Sequence, residues 1–418
     1  MGAVVAASAV LALTAAPALA QETPGSTEPP TSSSAPVDPP TSTTTEEPAP
    51  EPTDPPESSQ PEEPEPTDPP EEPEDPEPGA GAIQERYEAL TPEEREQLGA
   101  PQGEEVVESD SLRWQTYANG RFYWTPERGV TAVYGGIYVH FLSLGAHGTL
   151  GVPVADEQVG EGGSRYSDFD DDGALSAIYW TPAHGAHLIS GPVLEHYRAL
   201  GADLGFGVPT TDTAATPDSR GTYNHFVTPS GHGASIYSTG ETGTHAVQGA
   251  IRDKWAASGW EQGPLGYPTT DETDAGDGVG KYSMFSGDGT YPAGIVWSPQ
   301  TGAHSVQGVI AERYVGLGGP AGILGYPTTD ETATPGGTGR YNHFTGTGGA
   351  SIYWSAGTGA HEVYGGIRAH WANLGWERSY LGFPISGEHD VEVGRAVEFQ
   401  GGIITWNRET GEVVDTPR

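Results

Sequence analysis

The sequence predicts a mainly β protein with short helices, built from six copies of one unit. Three observations carry that prediction. The first is a phrase: LGYPTTDE stands at residues 265–272 and again at 324–331. Looser versions read LGAP at 98–101, LGVPVADE at 150–157, LGFGVPTTDT at 204–213 and LGFPISGE at 381–388. Their prolines, Pro101, Pro153, Pro209, Pro268, Pro327 and Pro384, are 52 to 59 residues apart. The second is an aromatic column before the phrase: Tyr87, Phe141, Tyr197, Trp255, Tyr314 and Trp371. The third follows it: Trp124, Trp180, Tyr237, Trp297, Trp354 and Trp406. One period on three rulers is the signature of a repeat architecture.

From the start of the chain, residues 1–20 form an apolar run ending in Ala18-Leu19-Ala20, a small-x-small pattern that reads as a secretory signal peptide. Lys and Arg are absent ahead of the run, which is atypical for such a leader. Residues 21–79 are Pro, Thr, Ser and acid, with 17 Asp or Glu and no Lys or Arg. That composition cannot bury enough apolar surface to offset its ordering entropy, so a disordered linker is expected, reaching about 180 Å if extended. The chain has no Cys, so the repeats over 80–418 must be stable through packing without disulfides. The formal net charge is −40; outside 21–79 there remain 41 acids against 18 basic residues, a net −23. An acidic surface of that size argues against nucleic acid and anionic lipid as partners, and suits a neutral polymer such as a polysaccharide.

Within one unit, residues 302–356, GAHSVQG alternates and ends in Gly, which predicts a short strand. VIAERYVGLGG places Ile310, Tyr314 and Leu317 at helical spacing before two stop glycines. In LGYP, Gly325 permits a turn closed to other residues and Pro327 fixes φ. RYNHF and ASIYWS then read as a hairpin. The unit is thus strand, short helix, turn and hairpin, and alone it buries too little. In that frame the first unit lacks its strand while Thr410-Gly411-Glu412-Val413 supplies an extra one at the end. This predicts a closed, propeller-like ring of six units whose last strand completes the first, with an open solenoid as the alternative.

The recurrence of L-G-[FY]-P with TGAHxV and YNxF in each unit, over residues 80–418, resembles the LGFP repeat family. The resemblance implies a secreted protein of the mycolic-acid-enveloped actinobacteria that attaches to the cell wall. Departures are Ala100 in the first phrase, an apparent insertion of Phe206-Gly207 in the third, and Ile385-Ser386-Gly387 in the sixth. No mycoloyltransferase or amidase domain of the kind such repeats accompany stands in these 418 residues, so the resemblance carries over no enzyme role.

Candidate ligand-binding residues follow from the repeated polar positions. Asp212, Asp271, Asp330, Glu272 and Glu331 of the phrase are natural partners for basic residues near each hairpin start, Arg113, Arg165, Lys281, Arg340 and Arg395. They form either a cleft for sugar hydroxyls or a repeated ion pair. Trp260 and Trp376, after the helix-ending Gly, are candidates to stack on sugar rings, whereas Trp180, Trp297 and Trp354 read as core. His187, His245, His304 and His361 recur once per unit, and a repeated structural hydrogen bond accounts for them better than a metal. DFDDDG at 168–173 lacks the twelfth-position Glu of a calcium loop and reads as an acidic hairpin tip. No nucleophile, zinc or phosphate-loop motif appears, so no cofactor and no catalysis are expected. The function expected is non-catalytic attachment, as a monomer, to envelope polysaccharide such as arabinogalactan or peptidoglycan. The alternatives are a protein-docking ring and a wall hydrolase acting through paired carboxylates.

Overall fold

The structure, a computed structural model, describes residues 77–418. The expected signal peptide and almost all of the expected linker lie outside the described residues. The last three positions assigned to the linker, Glu77 to Gly79, belong to the folded part.

Six antiparallel sheets follow one another along the chain. In the fifth, the strands are Thr332–Ala333, Gly339–Phe344, Ala350–Ser355 and Gly359–Tyr364, paired in that order. A helix follows each of the first five sheets, so the elements order as α1 (Ala82–Ala89), α2 (Pro92–Leu98), first sheet, α3 (Gly135–Ser143) and α4 (His147–Leu150), second sheet. Then come α5 (Gly191–Ala199), α6 (Ala202–Gly205), third sheet, α7 (Gly249–Ala257), fourth sheet, α8 (Gly308–Gly316), fifth sheet, α9 (Gly365–Leu374) and sixth sheet.

The phrase does two jobs. Its proline lies antiparallel to an aromatic at one place in the hairpin that follows: Tyr117, Phe169, Phe226, Phe285, Phe344 and Phe399. Its glycine has positive φ in all six copies, from 68° at Gly325 to 103° at Gly207. That left-handed backbone is why glycine recurs there. The glycine carbonyl also accepts from the helix aromatic: Tyr197 Oη donates to Gly207 at 2.7 Å, Trp255 Nε1 to Gly266 at 3.1 Å and Tyr314 Oη to Gly325 at 2.8 Å. In these three units the bond ties the helix to the phrase. In the third unit Phe206, 4 % exposed, takes the place of the phrase's leucine, and Leu204 is exposed. The apparent insertion there is a phrase that reads FGVP at 206–209.

Two expectations are corrected. The GAHxV strand does not open a unit; it pairs with the hairpin before it, Gly302–Gln307 with Ala293–Ser298, for example. A short turn makes that antiparallel neighbour the nearest one available. In the true frame nothing is missing at the front, and Val413–Pro417 closes the sixth sheet by pairing with Gly402–Asn407. The argument for ring closure therefore falls. Five shared cores join consecutive sheets, each built around a helix of the α3, α5, α7, α8, α9 series. Among the described residues no core cluster, hydrogen bond or ion pair joins the sixth sheet to the first, where α1 packs on the first sheet with Ile83, Leu98, Tyr117 and Phe122. The open stack fits; a closed propeller does not.

The sixth sheet, which no helix follows among the described residues, differs from the others at one register. Sheets with a following helix present an apolar cross-strand pair to it, such as Tyr166–Tyr179, Tyr223–Tyr237 and Tyr341–Tyr353, stacked at about 5 Å. The sixth sheet has Ala396 opposite Thr405 at that register.

Candidate functional site

Two polar rows run along the stack. The first joins units. The residue just before the helix aromatic is a cation or histidine in all six: Arg86, His140, His196, Lys254, Arg313 and His370. Arg86 pairs with Asp156 at 2.8 Å, His140 with Asp212 at 2.9 Å, His196 with Asp271 at 3.0 Å, and Lys254 with Asp330. Each of those carboxylates also accepts a backbone N–H from the closing strand of the preceding sheet, at Ala132, Leu188, Ala246 and Ser305. The phrase aspartate is thus a staple between one unit's closing strand and the helix packed on it.

Burial opposes ionisation of Asp212, Asp271 and Asp330, but the bonds from the basic partners and the backbone outweigh it and hold all three below the usual carboxylate range. The sixth phrase has Gly387 at that place. Glu362 reaches in from the closing strand instead, and accepts from Arg313 Nε at 2.7 Å and Nη2 at 2.8 Å. A side chain at Gly387 would collide with Glu362 Oε1, so the two departures are one substitution. In the sixth sheet Asp415, at the register of Glu362, serves His370 at 2.6 Å.

The repeated histidines are structural, as expected. Nε2 of His187, His245, His304 and His361 lies 2.7–3.0 Å from a backbone carbonyl three residues earlier. His187, His245 and His304 also turn Nδ1 toward the staple aspartate. DFDDDG is a hairpin tip with positive φ at Asp172 and Gly173, and Arg198 and Arg128 hold Asp168 and Asp170.

The second row is a repeated group of a cation, a tryptophan and a carboxylate. In five units a basic residue stands directly across the hairpin from a tryptophan: Arg113 and Trp124, Arg165 and Trp180, Lys281 and Trp297, Arg340 and Trp354, Arg395 and Trp406. The third unit has Thr222 opposite Ser238, which corrects the assignment of Tyr237 to the tryptophan column. The fourth residue after the phrase proline completes the group. Glu105, Glu157, Glu331 and Glu388 lie 2.7–3.4 Å from their arginines. Thr213 stands there in the third unit, so all three positions change together. Burial pushes Glu157, Glu272, Glu331 and Glu388 above the usual carboxylate range, against the pull of the basic neighbour. One oxygen each of Glu331 and Glu388 is buried without a partner among the described residues.

The fourth unit differs. Lys281 is paired with the exposed Asp274 at 3.5 Å rather than with Glu272. Its cleft, about 520 Å³, is lined by Glu272, Lys281, Trp297, Gln248 and Gly249. The cleft of the second unit, about 320 Å³, is lined by Glu157, Arg165, Trp180 and the start of α3.

The structure therefore divides the expected site residues. Glu272 and Lys281 line a cleft and Glu331 and Arg340 form the equivalent ion pair, whereas Asp212, Asp271 and Asp330 are staples. Trp297, read as core, walls a cleft, and Trp180 and Trp354 are only part-buried. Trp260 and Trp376 are not open platforms. Arg252 and Arg368 cover them at 4.9 and 5.0 Å, and His225, Tyr237 and Trp255, or His343, Tyr353 and Trp371, pack about them. The arginine also donates to Ser235 or Ser351, which holds the histidine at 2.7 Å.

Those two histidines give a pH prediction. Burial, and then the neighbouring arginine, lower both His225 and His343 to about 4 from 6.5. Below pH 6.5 the unfolded chain binds the proton more readily, so they make stability fall as pH drops from 6.5 to about 4. His245, raised by its bond to Asp271, contributes stability that is complete below 6.5 and lost above its folded value. The staple aspartates, held below their ordinary value of 3.8, contribute stability that is lost only as pH falls from that value downward, so the windows separate. Imidazole NMR should show two rings titrating near pH 4, and replacing both with Gln should remove that decline in melting temperature.

The fold and these rows define a class: an open tandem-repeat array of small antiparallel sheets in which one polar group recurs along the units and lines a cleft in two of them. The sequence profile of the LGFP repeat matches residues 98–148, 150–205, 206–263, 265–322, 324–379 and 381–414, and the chain belongs to that family. Curated proteins yield no match. Among solved structures, a protein assigned as a 6-phosphogluconolactonase from Bacteroides uniformis is 16% identical, with 71% of this chain and 76% of that one covered and a TM-score of 0.13. The extracellular domain of a hybrid two component system from B. thetaiotaomicron gives 12% identity, 75% and 35% coverage and 0.14. The WD40 domain of SCAP from fission yeast gives 6%, 71% and 79%, and 0.14. Superpositions at such scores do not establish a shared fold.

Proposed function

We propose that the protein is a non-catalytic attachment module that binds envelope polysaccharide through the clefts between its units. The observation that carries this reading is the cleft of the fourth unit. Trp297 offers an aromatic wall for the C–H face of a sugar ring, Lys281 only donates, and the Glu272 carboxylate only accepts. Adjacent hydroxyls of one sugar satisfy both, and about 520 Å³ lies within the range of roughly 300–1,000 Å³ typical of ligand pockets. Repetition along a polymer adds avidity where single contacts are weak. Arabinogalactan and peptidoglycan are the candidate polymers, and a secreted, wall-associated monomer is the form that fits them.

The test is co-sedimentation of the full chain with purified, protein-free wall polysaccharide, with released sugar assayed in the supernatant. Binding without release is expected, and Trp297→Ala or Lys281→Met should weaken it about tenfold. Sugar release would make the protein a hydrolase. Absence of binding would reject the attachment reading.

A further inference from the structure

One of the five junctions between sheets lacks what the others contain. Each sheet that a helix follows presents a cross-strand pair to it: Trp114–Tyr123, Tyr166–Tyr179, Tyr223–Tyr237, Tyr282–Val296 and Tyr341–Tyr353. An arginine packs at four of these places. Arg121 lies over the Trp114 ring at 4.2 Å, Arg198 reaches Asp168 and Tyr179, and Arg252 and Arg368 cover Trp260 and Trp376.

The junction of the fourth sheet with α8 has none of this. Ala311 stands where Arg252 and Arg368 stand, three residues before the helix aromatic, and Gly319 where Trp260 and Trp376 stand, five after it. Met284 and Gly294 pair at the register of His225–Ser235 and His343–Ser351. Four positions have thus changed together, and the surroundings do not close over the space. A Cβ at Gly319 would meet nothing within 4 Å, and a cavity of about 390 Å³ remains. Met284, Val296 and Tyr314, which line it, are the counterparts of His225, Tyr237 and Trp255 around the Trp260 indole. Val296 and Tyr314 are buried, whereas Val315 and Gly318 at the mouth are exposed. Among the described residues Asp274 is the one charged group on the wall, and its Oδ2 has a long contact, 3.5 Å, with Lys281.

We propose that this cavity binds a small aromatic amine, a flat ring of about indole size that carries a positive charge. The ring takes the place that Trp260 and Trp376 fill with the chain's own indole, and the thioether of Met284 and the ring of Tyr314 suit an aromatic face. The ammonium supplies the charge that an arginine supplies at the other four junctions, and the Asp274 carboxylate accepts it. The same carboxylate disfavours a ring that bears an acid. A mostly apolar wall with one polar anchor is the usual make-up of a small-molecule site. The cavity shares no lining residue with the cleft of Glu272, Lys281 and Trp297, so the proposal does not depend on polysaccharide binding.

The test uses the full chain, labelled with carbon-13 at its methionine methyls, and tryptamine as the probe. The chain has two methionines, Met1 and Met284, so one of two signals reports from the cavity wall. Tryptamine should move the Met284 signal to saturation, with one site by calorimetry. Indole-3-acetate should bind about fivefold more weakly, and Asp274→Asn should remove that difference. Gly319→Trp should abolish binding and raise the melting temperature. The backbone there has φ 58°, and tryptophan already holds 56° at Trp260 and 60° at Trp376. Binding of wall polysaccharide should be unchanged in that variant, so the two readings fail separately. A Met284 signal that tryptamine leaves in place would overturn the site, as would undiminished binding by a folded Gly319→Trp chain. Indole-3-acetate binding as tightly as tryptamine would overturn the amine. Should Gly319→Trp fail to fold, the Met284 signal of the unaltered chain still decides.

Discussion

Trp371→Ala is expected to destabilise the last part of the stack by about 3–5 kcal/mol, the range for deleting a large aromatic from a packed core. Trp371 is fully buried in α9, in contact with Tyr353, Trp376 and Phe399. In an open array each unit touches only its neighbours, so the loss should stay local. Hydrogen exchange should show amides of Gly394–Phe399 and Gly402–Asn407 losing protection while those of the first three sheets keep theirs. Uniform loss across all six sheets would mean that the stack unfolds as one body. A second variant isolates the polar part of the same site. The Trp371 indole N–H is buried without a partner, whereas Trp255 donates to Gly266. Trp371→Phe should therefore cost about 1 kcal/mol less than Trp255→Phe.

Glu362→Ala comes next, at about 2–4 kcal/mol. Both Glu362 oxygens are bonded to Arg313, and the glutamate side chain is only 4 % exposed. Arg313 is partly open to water, which keeps the cost below that of a fully buried pair. Adding Gly387→Asp to Glu362→Ala should restore much of the loss, because it returns an aspartate to the place it holds in four other phrases. Gly387→Asp alone should destabilise, since it brings a second carboxylate into collision with the first. Urea midpoints of the three variants test this directly, and strictly additive effects would refute the coupling.

Much of the molecule was written in its repeats. The period, the helix aromatic, the positive-φ glycine and the hairpin all follow from residues that recur at fixed offsets, because each unit solves the same packing problem. The ion pair of Glu331 with Arg340 was also legible, since phrase and hairpin start lie only a few residues apart; Glu388, which pairs with Arg395 at the same place in the sixth unit, was not singled out. The clefts were half legible. Glu272, Lys281, Glu331 and Arg340 were found, but the facing tryptophans were assigned to the core, because hydrophobicity does not say which side of a strand meets a neighbour's helix.

Three things needed the tertiary structure. The ends of a repeat could not be placed from a cyclic pattern: any frame of a periodic sequence is self-consistent, and only the pairing of Val413–Pro417 with its own sheet fixed it. The partners of Asp212, Asp271 and Asp330 sit 72 to 76 residues upstream on helices, a distance that only stacking closes. And the exchange of Asp for Glu362 beside Gly387 is invisible along the chain, because one carboxylate leaves from the phrase and the other from the closing strand of the preceding sheet. The sequence by itself determined the unit, since local periodicity and turn chemistry act within it. The stack, its open ends and its clefts were decided by contacts between units, where residues far apart in the chain share one desolvated space.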